Sequence, residues 1–199
     1  MLFIIGLAGL ASHRRSQLSS NVRPHKTSLL VLAPIKTANL LLRPFVHTDL
    51  PALYSFMSDA SAMQHTYVAP SIDHCSNRLV AYEAMRSTLG FAPWVARVRE
   101  DMQPIGWGGL SVDPKEPEWG LEVSYAFSPA TWGKGYATEL VNASLAYAFG
   151  PLQAREVHAF AKAENTASVR VLAKCGFLHL RYEPRLERGH YIVQVPSAA

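Results

Sequence analysis

The sequence predicts a mixed α/β domain, on three observations. The elements read in order as strand, helix, helix, three strands, helix, strand, helix and two strands, which is not a chain of βαβ units alone. A glycine-rich turn, Trp132-Gly133-Lys134-Gly135-Tyr136-Ala137-Thr138, joins a strand to a helix. With 49% hydrophobic and 17% charged residues over 199 positions, the chain can bury one core with some surplus.

Residues 1–36 read as a poorly ordered extension. The run MLFIIGLAGL is apolar and is followed by His13-Arg14-Arg15, whereas a signal peptide carries its positive charges ahead of the apolar run. Its ten residues are too few to span a bilayer, so no membrane partner is expected. Residues 16–36 are polar, with Pro24 and Pro34 and no clean period. An upstream mis-assigned start codon explains the segment equally well, and a cleaved export or organelle signal is the minor alternative. The domain is expected over 37–196.

Leu40-Leu41-Leu42 reads as a short strand stopped at Arg43-Pro44. Thr48 or Asp49 can cap the helix that follows, with Pro51 in its first turn and Leu50, Leu53, Tyr54 and Met57 at helical spacing. A second helix is expected over 73–88, with Leu79, Val80, Tyr82 and Met85 apolar and Gly90 ending it. Residues 94–99 alternate as a strand, residues 100–103 form a polar hairpin turn, and 105–112 return. Gly106, Gly108 and Gly109 there allow a close approach or a bulge. A strand over 121–127 stops at Ser128-Pro129. A helix over 135–149 ends at Gly150-Pro151. Residues 157–161 are strand-like, 168–175 are a short helix ended by Gly176, and 177–182 and 191–195 are the last two strands.

The net charge of +4 is either a solvated surface or an attraction for a polyanionic ligand. No Lys/Arg run with interleaved aromatics appears, so no nucleic-acid partner is expected. Two cysteines are fewer than a disulfide-stapled secreted domain usually carries. Cys175 lies in an apolar stretch and reads as a packed thiol, and a reducing cytoplasm fits both. The eight histidines are scattered without metal-ligand spacing, so no metal is expected.

The 132–138 turn carries the chemistry. Gly133 and Gly135 let backbone N–H groups converge at a helix N-terminus, an arrangement that binds anions. Ala137 is small enough for a ligand to approach, and Thr138 can offer a hydroxyl. The turn lacks the spacing of a P-loop, and Glu139 stands where a dinucleotide fingerprint needs its third glycine. By itself the turn supports an anion site, or merely a tight turn into a helix.

Residues 127–139 resemble motif A of the GNAT superfamily of N-acetyltransferases, Q/R-x-x-G-x-G/A. The motif falls on Trp132, Gly135 and Ala137, with Trp132 departing from the first position. The form W-G-K-G-Y-A-T-E is common in the RimJ/RimL-like subgroup, whose members acetylate ribosomal-protein N-termini and, in some cases, other amines. Residues 165–177 resemble that subgroup's N-x-x-S-x-x-[LVI]-x-x-K-x-G-F. Ile105-Gly106 and Leu41-Leu42-Arg43-Pro44 agree as well. The resemblance covers about residues 37–196.

It implies a GNAT fold: a central, mostly antiparallel seven-stranded sheet splayed at the cofactor strand and flanked by about four helices. It implies acetyl-CoA as co-substrate and an amine as acceptor, and it leaves a homodimer open. The backbone of Gly133, Lys134, Gly135, Tyr136, Ala137 and Thr138, with Trp132, would hold the pyrophosphate. The backbone of Tyr125, Ala126 and Phe127 would pair with the pantetheine arm, and one of its N–H groups would serve the oxyanion. Asn165 would bond the pantetheine or cap the following helix.

Direct attack by a neutral amine needs a base, an oxyanion donor and a partner for the departing thiolate. Glu122 is the candidate base, on one face with Ser124 and Ala126. A rim carboxylate that fixes the amine or pairs with an arginine is the alternative role, and Glu118 is a lesser candidate. Many relatives carry a tyrosine where this chain has Leu172, so Ser168 is the suggested donor to the thiolate. Its alternative is a hydroxyl satisfied by helix backbone. Trp94, Trp107, Tyr67 and His65 are candidates for the amine pocket, though each is more often core or rim. The acceptor is read as a protein N-terminal amine. The alternatives are a small amine (amino acid, polyamine or aminoglycoside) or a non-catalytic acyl-CoA-binding module.

Overall fold

The protein's structure, a computed structural model, describes residues 33–114 and 116–195. Of the extension expected over residues 1–36, residues 1–32 lie outside the described residues. An eight-stranded sheet runs β1 (Ile35–Lys36), β2 (Leu40–Arg43), β3 (Trp94–Val98), β4 (Pro104–Ser111), β5 (Glu122–Phe127), β6 (Glu156–Ala161), β8 (Arg188–Gln194), β7 (Leu178–Glu183). Seven strands were expected. The eighth is β1, a two-residue edge that pairs with β2 just ahead of the expected domain start and is too short to show a period.

Four α-helices accompany the sheet: α1 (Leu50–Met57), α2 (Ile72–Leu89), α3 (Tyr136–Phe149) and α4 (Thr166–Lys174). All neighbouring strands pair antiparallel except β5 and β6. That parallel pair holds by one rung, Glu122 opposite His158, with the His158 N–H donating to the Leu121 carbonyl at 2.8 Å. Beyond it the two strands part, and the sheet splays.

Each face has its own packing. Val123 of β5 and Val157, Ala159 and Ala161 of β6 bury against Val141, Leu145 and Leu172 of α3 and α4. On the other face Val95 and Trp107 pack on Leu53, Phe56, Met57 and Leu79 of α1 and α2. The glycines of β4 serve close approach rather than a bulge against β5. A Cβ at Gly106 would meet the Phe127 ring at 2.4 Å, and one at Gly108 would meet the Ser124 carbonyl at 2.6 Å. The register irregularity lies instead between β3 and β4, at Ala96/Arg97. In α2 Leu79 is buried but Val80 is 45% exposed, so that helix's core face is narrower than its apolar residues suggested.

Neither Thr48 nor Asp49 caps α1. Asp49 has helical backbone angles, its side chain makes no cap bond, and a 3-10 turn (His47–Asp49) leads in. Its carboxylate is fully buried and accepts from Arg43, from Arg97 and from the Val46 N–H. The two guanidiniums outcompeted the helix end for this acid, because a buried carboxylate needs charged partners more than a helix needs one cap.

A second anchor ties the N-terminal strands to α3. Glu139, in the first turn of α3, accepts from the Thr37 hydroxyl, from Asn39 N–H and Nδ2 at 2.7 and 2.9 Å, and from Leu40 N–H at 3.1 Å. Partial burial pushes its carboxyl up, but the bonds from Thr37, Asn39 and Leu40 outweigh that and hold it below the usual range. Glu139→Ala orphans those donors. It should cost about 2 kcal/mol and lower the melting temperature by about 4–8 °C at pH 7. With a depressed folded-state pKa, this stabilisation is full above the unfolded-state value and fades as pH falls through the folded one, so the variant should converge on wild type in acid. Equal melting temperatures at pH 7 would refute the anchor.

Candidate active site

The splay opens a cleft of about 580 Å³ between β5 and α4. Its floor is Tyr125, Ala126 and Phe127. One end is the 131–138 turn, the far wall is the first turns of α4, and the other end is the loop Met63–Thr66 with Glu164.

The turn behaves as its glycines required. Gly133 and Gly135 have φ of 77° and 82°, the left-handed region that a side chain strains, and a Cβ at either would face open space. Gly135 is therefore needed for its conformation and not for room, and it serves as the N-cap of α3 without any side-chain cap. The Trp132 N–H bonds Pro129 and the Glu139 N–H bonds Gly135. Among the described residues, the six N–H groups between them, residues 133–138, have no hydrogen-bond acceptor. A row of unpartnered amides at a helix N-terminus is an anion cradle.

Two neighbours brace the cradle. The Trp132 indole, 51% exposed, donates Nε1–H to the Phe127 carbonyl at 2.8 Å and ties the turn to the end of β5. That carbonyl was expected to face the pantetheine arm, and it already holds a donor. Cys175 lies buried beneath the first turn of α3, its thiol 3.8 Å from the Thr138 carbonyl, and burial pushes its pKa up. It is the packed thiol the sequence suggested.

Asn165 is the N-cap of α4, its side-chain oxygen accepting from the Ser168 N–H at 3.1 Å, and it also borders the cleft. The Ser168 hydroxyl borders the cleft too and has no hydrogen bond among the described residues. Leu172 is 2% exposed in the core. The sequence reading used only the backbone of Tyr125 and missed its side chain. The phenol crosses the splay to within 3.4 Å of the Ser168 carbonyl, and burial pushes its pKa up to about 12, so it keeps its proton. Nothing in a lone tyrosine on a strand signals this, because the partner lies 43 residues away.

Two predicted residues do not line the cleft. The Lys134 side chain is exposed on the outer side of the turn, and Glu122 sits at the vertex of the splay. Glu122 is half-buried, its Oε1 has no hydrogen-bond partner among the described residues, and its pKa is raised to about 7, chiefly by burial, with Asp113 adding and Arg188 opposing. Glu118 is exposed, and its pKa is held down by its own backbone N–H and by Glu116, which unfits it as a base at neutral pH. Behind the vertex, His158 Nδ1 and His190 Nε2 lie 2.9 Å apart, and burial helps pull His190 down to about 4.

At the mouth, Arg188 of β8 donates Nη2–H to the His65 carbonyl at 2.9 Å, which pins the 63–66 loop onto the sheet. His65 borders the cleft. Trp94 and Trp107 are core residues, 3% and 4% exposed. Tyr67 lies behind the loop, bonded to His74 at 3.1 Å. Among the described residues no group of three or more His, Cys, Asp or Glu is placed to hold a metal, and no helix is long and apolar enough to cross a membrane.

A sheet splayed at a parallel pair, with unpartnered amides at the gap, is the architecture of the site. Residues 39–178 match the acetyltransferase (GNAT) domain family, and the chain belongs to it. Among curated relatives, the uncharacterized N-acetyltransferase YoaA of Bacillus subtilis is 23% identical over 145 residues, 72% of this chain and 81% of YoaA. The uncharacterized protein YkkB of the same organism is 32% identical over 87 residues, and that match spans about half of YkkB, 51%, and 44% of this chain. The fold matches an acetyltransferase from Agrobacterium tumefaciens, with a TM-score of 0.72 at 23% identity over 82% of this chain and 95% of that one. It also matches spermidine N-acetyltransferase from Vibrio cholerae in complex with CoA and spermine, with a TM-score of 0.64 at 21% identity over 79% and 96%.

Two outcomes check the site. Gly135→Glu, which sets a carboxylate among the amides, should abolish CoA binding in calorimetry, whereas Gly135→Ala strains only the backbone, by about 1 kcal/mol, and should weaken binding about fivefold. Glu122 binds its proton more tightly folded than unfolded, so the fold loses stability as pH rises from about 4.5 to about 7. Glu122→Gln should therefore melt higher than wild type at pH 8 and level with it near pH 4.

Proposed function

We propose that this protein transfers the acetyl group of acetyl-CoA to a primary amine by direct attack, and that the amine is carried by a small molecule. The row of unpartnered amides at the open splay carries the first half of this reading. Residues 133–138 fit a pyrophosphate, and the free edge of Tyr125 and Ala126 fits an extended amide-bearing arm. Acetyl-CoA supplies the activated thioester.

Glu122, poised near pH 7, takes the amine's proton directly or through water. A backbone N–H of the Tyr125–Phe127 strand holds the negative charge that develops on the carbonyl oxygen. The Ser168 hydroxyl, and the Tyr125 hydroxyl that reaches the Ser168 carbonyl, are the donors available to the leaving sulfur. This arrangement offers a replacement for the side chain absent at Leu172.

The acceptor reading rests on the loop at the mouth. A protein N-terminus needs an open channel to Glu122, and the His65–Arg188 bond holds the 63–66 loop beside the cleft, where it narrows the space for a bulky acceptor. This favours a small amine. The motif resemblance favours the protein N-terminal amine, which stands as the second reading. Two free buried cysteines suit a reducing cytoplasm.

Thiol release from acetyl-CoA against panels of peptides and small amines tests the acceptor. Turnover of peptides alone would overturn the small-amine reading. The value of kcat/KM should rise with pH through about 7 and then level. Glu122→Gln should lower kcat by about 10²–10⁴ and remove that inflection. An unchanged profile would return Glu122 to a structural role.

A further inference from the structure

Arg188 is a half-buried cation that closes no ion pair among the described residues. The other arginines around β7 and β8 have theirs: Arg181 meets Glu183 at 3.7 Å, and Arg185 meets Glu116 at 3.1 Å and Glu183 at 3.4 Å. Glu183 is the cross-strand register partner of Arg188 and the carboxylate placed to neutralise it, but Arg181 and Arg185 have taken it. Arg188 instead gives one Nη2–H to the His65 carbonyl. Among the described residues Nε and Nη1 donate to nothing. Glu122 and Glu164 act on its charge but close no ion pair with it. Those donors are open to solvent, and a forked guanidinium with free N–H groups can take a planar anion bidentately.

Its location says which anion. Arg188 is near enough to Glu122 for each to oppose the other's shift, and Glu164, which also faces it, borders the cleft. Arg188, bonded to a loop that borders the cleft, is thus close enough to two carboxylates for their charges to act on it. Glu122 and Glu164 suit an ammonium, and the open fork of Arg188 suits a carboxylate bidentately. A polyamine would meet the guanidinium with like charge. A compact zwitterion matches both halves.

Resting on the reading of this cleft as an acetyl-CoA:amine site, we propose that the acceptor is an amino acid with its carboxylate one or two carbons from the amine, and that Arg188 is the residue that reads that carboxylate. Arg188 then does two things at once: it pins the loop at the mouth and selects the molecule that enters.

The test compares matched acceptors on the wild-type enzyme: alanine, phenylalanine and glutamate, each as free α-acid and as α-amide, with spermidine as the polycation. The free acids should exceed their amides at least tenfold in kcat/KM, mostly through KM, and spermidine should be poor. Arg188→Gln should collapse the acid-to-amide ratio toward one while leaving CoA affinity by calorimetry unchanged, and Arg188→Lys should restore part of the ratio. Amides or spermidine acetylated as well as the acids would overturn the proposal, as would a ratio that Arg188→Gln leaves intact.

A readout without turnover keeps the two readings apart. The N-acetyl amino acid and its amide can be titrated into wild-type protein with and without CoA. Tighter binding of the acid supports the Arg188 subsite whatever the catalytic rate, and equal affinities sink it. Absence of CoA binding would instead sink the acetyl-CoA reading.

Discussion

Everything functional here depends on one rung of hydrogen bonding. Among the described residues β5 and β6 are the only parallel neighbours in the sheet, and they stay together only at Glu122 and His158. Two strands that part leave backbone edges unpaired, normally a liability that a fold covers. Here each strand keeps its full ladder on its other side, β5 to β4 and β6 to β8, so the gap costs one ladder rather than two strands. The exposed edge of β5 is what our proposal gives to an extended ligand, with the unpartnered amides at its end for an anion.

The cradle has to be held open without a side chain inside it, and the bracing is external. Trp132 ties the turn to the end of β5, Cys175 packs beneath the first turn of α3, and Glu139 fastens that same turn to the β1–β2 connection. None of the three consumes an N–H between residues 133 and 138. Preorganised donors of this kind spend their ordering cost during folding, which leaves more of the ligand's binding energy available as affinity.

The vertex combines charges that oppose one another. Burial raises Glu122 into the range useful to a base, and Asp113 pushes it the same way. Arg188 restrains that shift while carrying its own desolvation. Each group is less comfortable than it would be on the surface, and such strain is the usual cost of a site that must bind a charged molecule. The reading of the mouth changes accordingly. Motif resemblance favours a protein terminus, and our proposal of a small zwitterion rests instead on the held loop and on a guanidinium with no ion pair among the described residues.

The element order, the glycine turn and the Asn165 cap were legible in the sequence because each is local. Periodicity, positive-φ glycines and a three-residue cap bond are written within a few positions of one another. Three things could not be read that way. The sequence showed Glu122 on a strand but not that the strand ends its pairing there, since pairing depends on β6 more than thirty residues on. It showed Asp49 as a cap, and two arginines brought in by β2 and β3 gave it a different role. It offered no reason to notice Arg188, whose importance lies in Glu183 being occupied and in His65 lying beside the cleft. By itself, then, the sequence determined a left-handed glycine turn from strand to helix in a mixed α/β domain, because backbone conformation there follows from its own glycines. Only the tertiary structure decided which charges face the acceptor, because those are fixed by which partners the rest of the fold has already claimed.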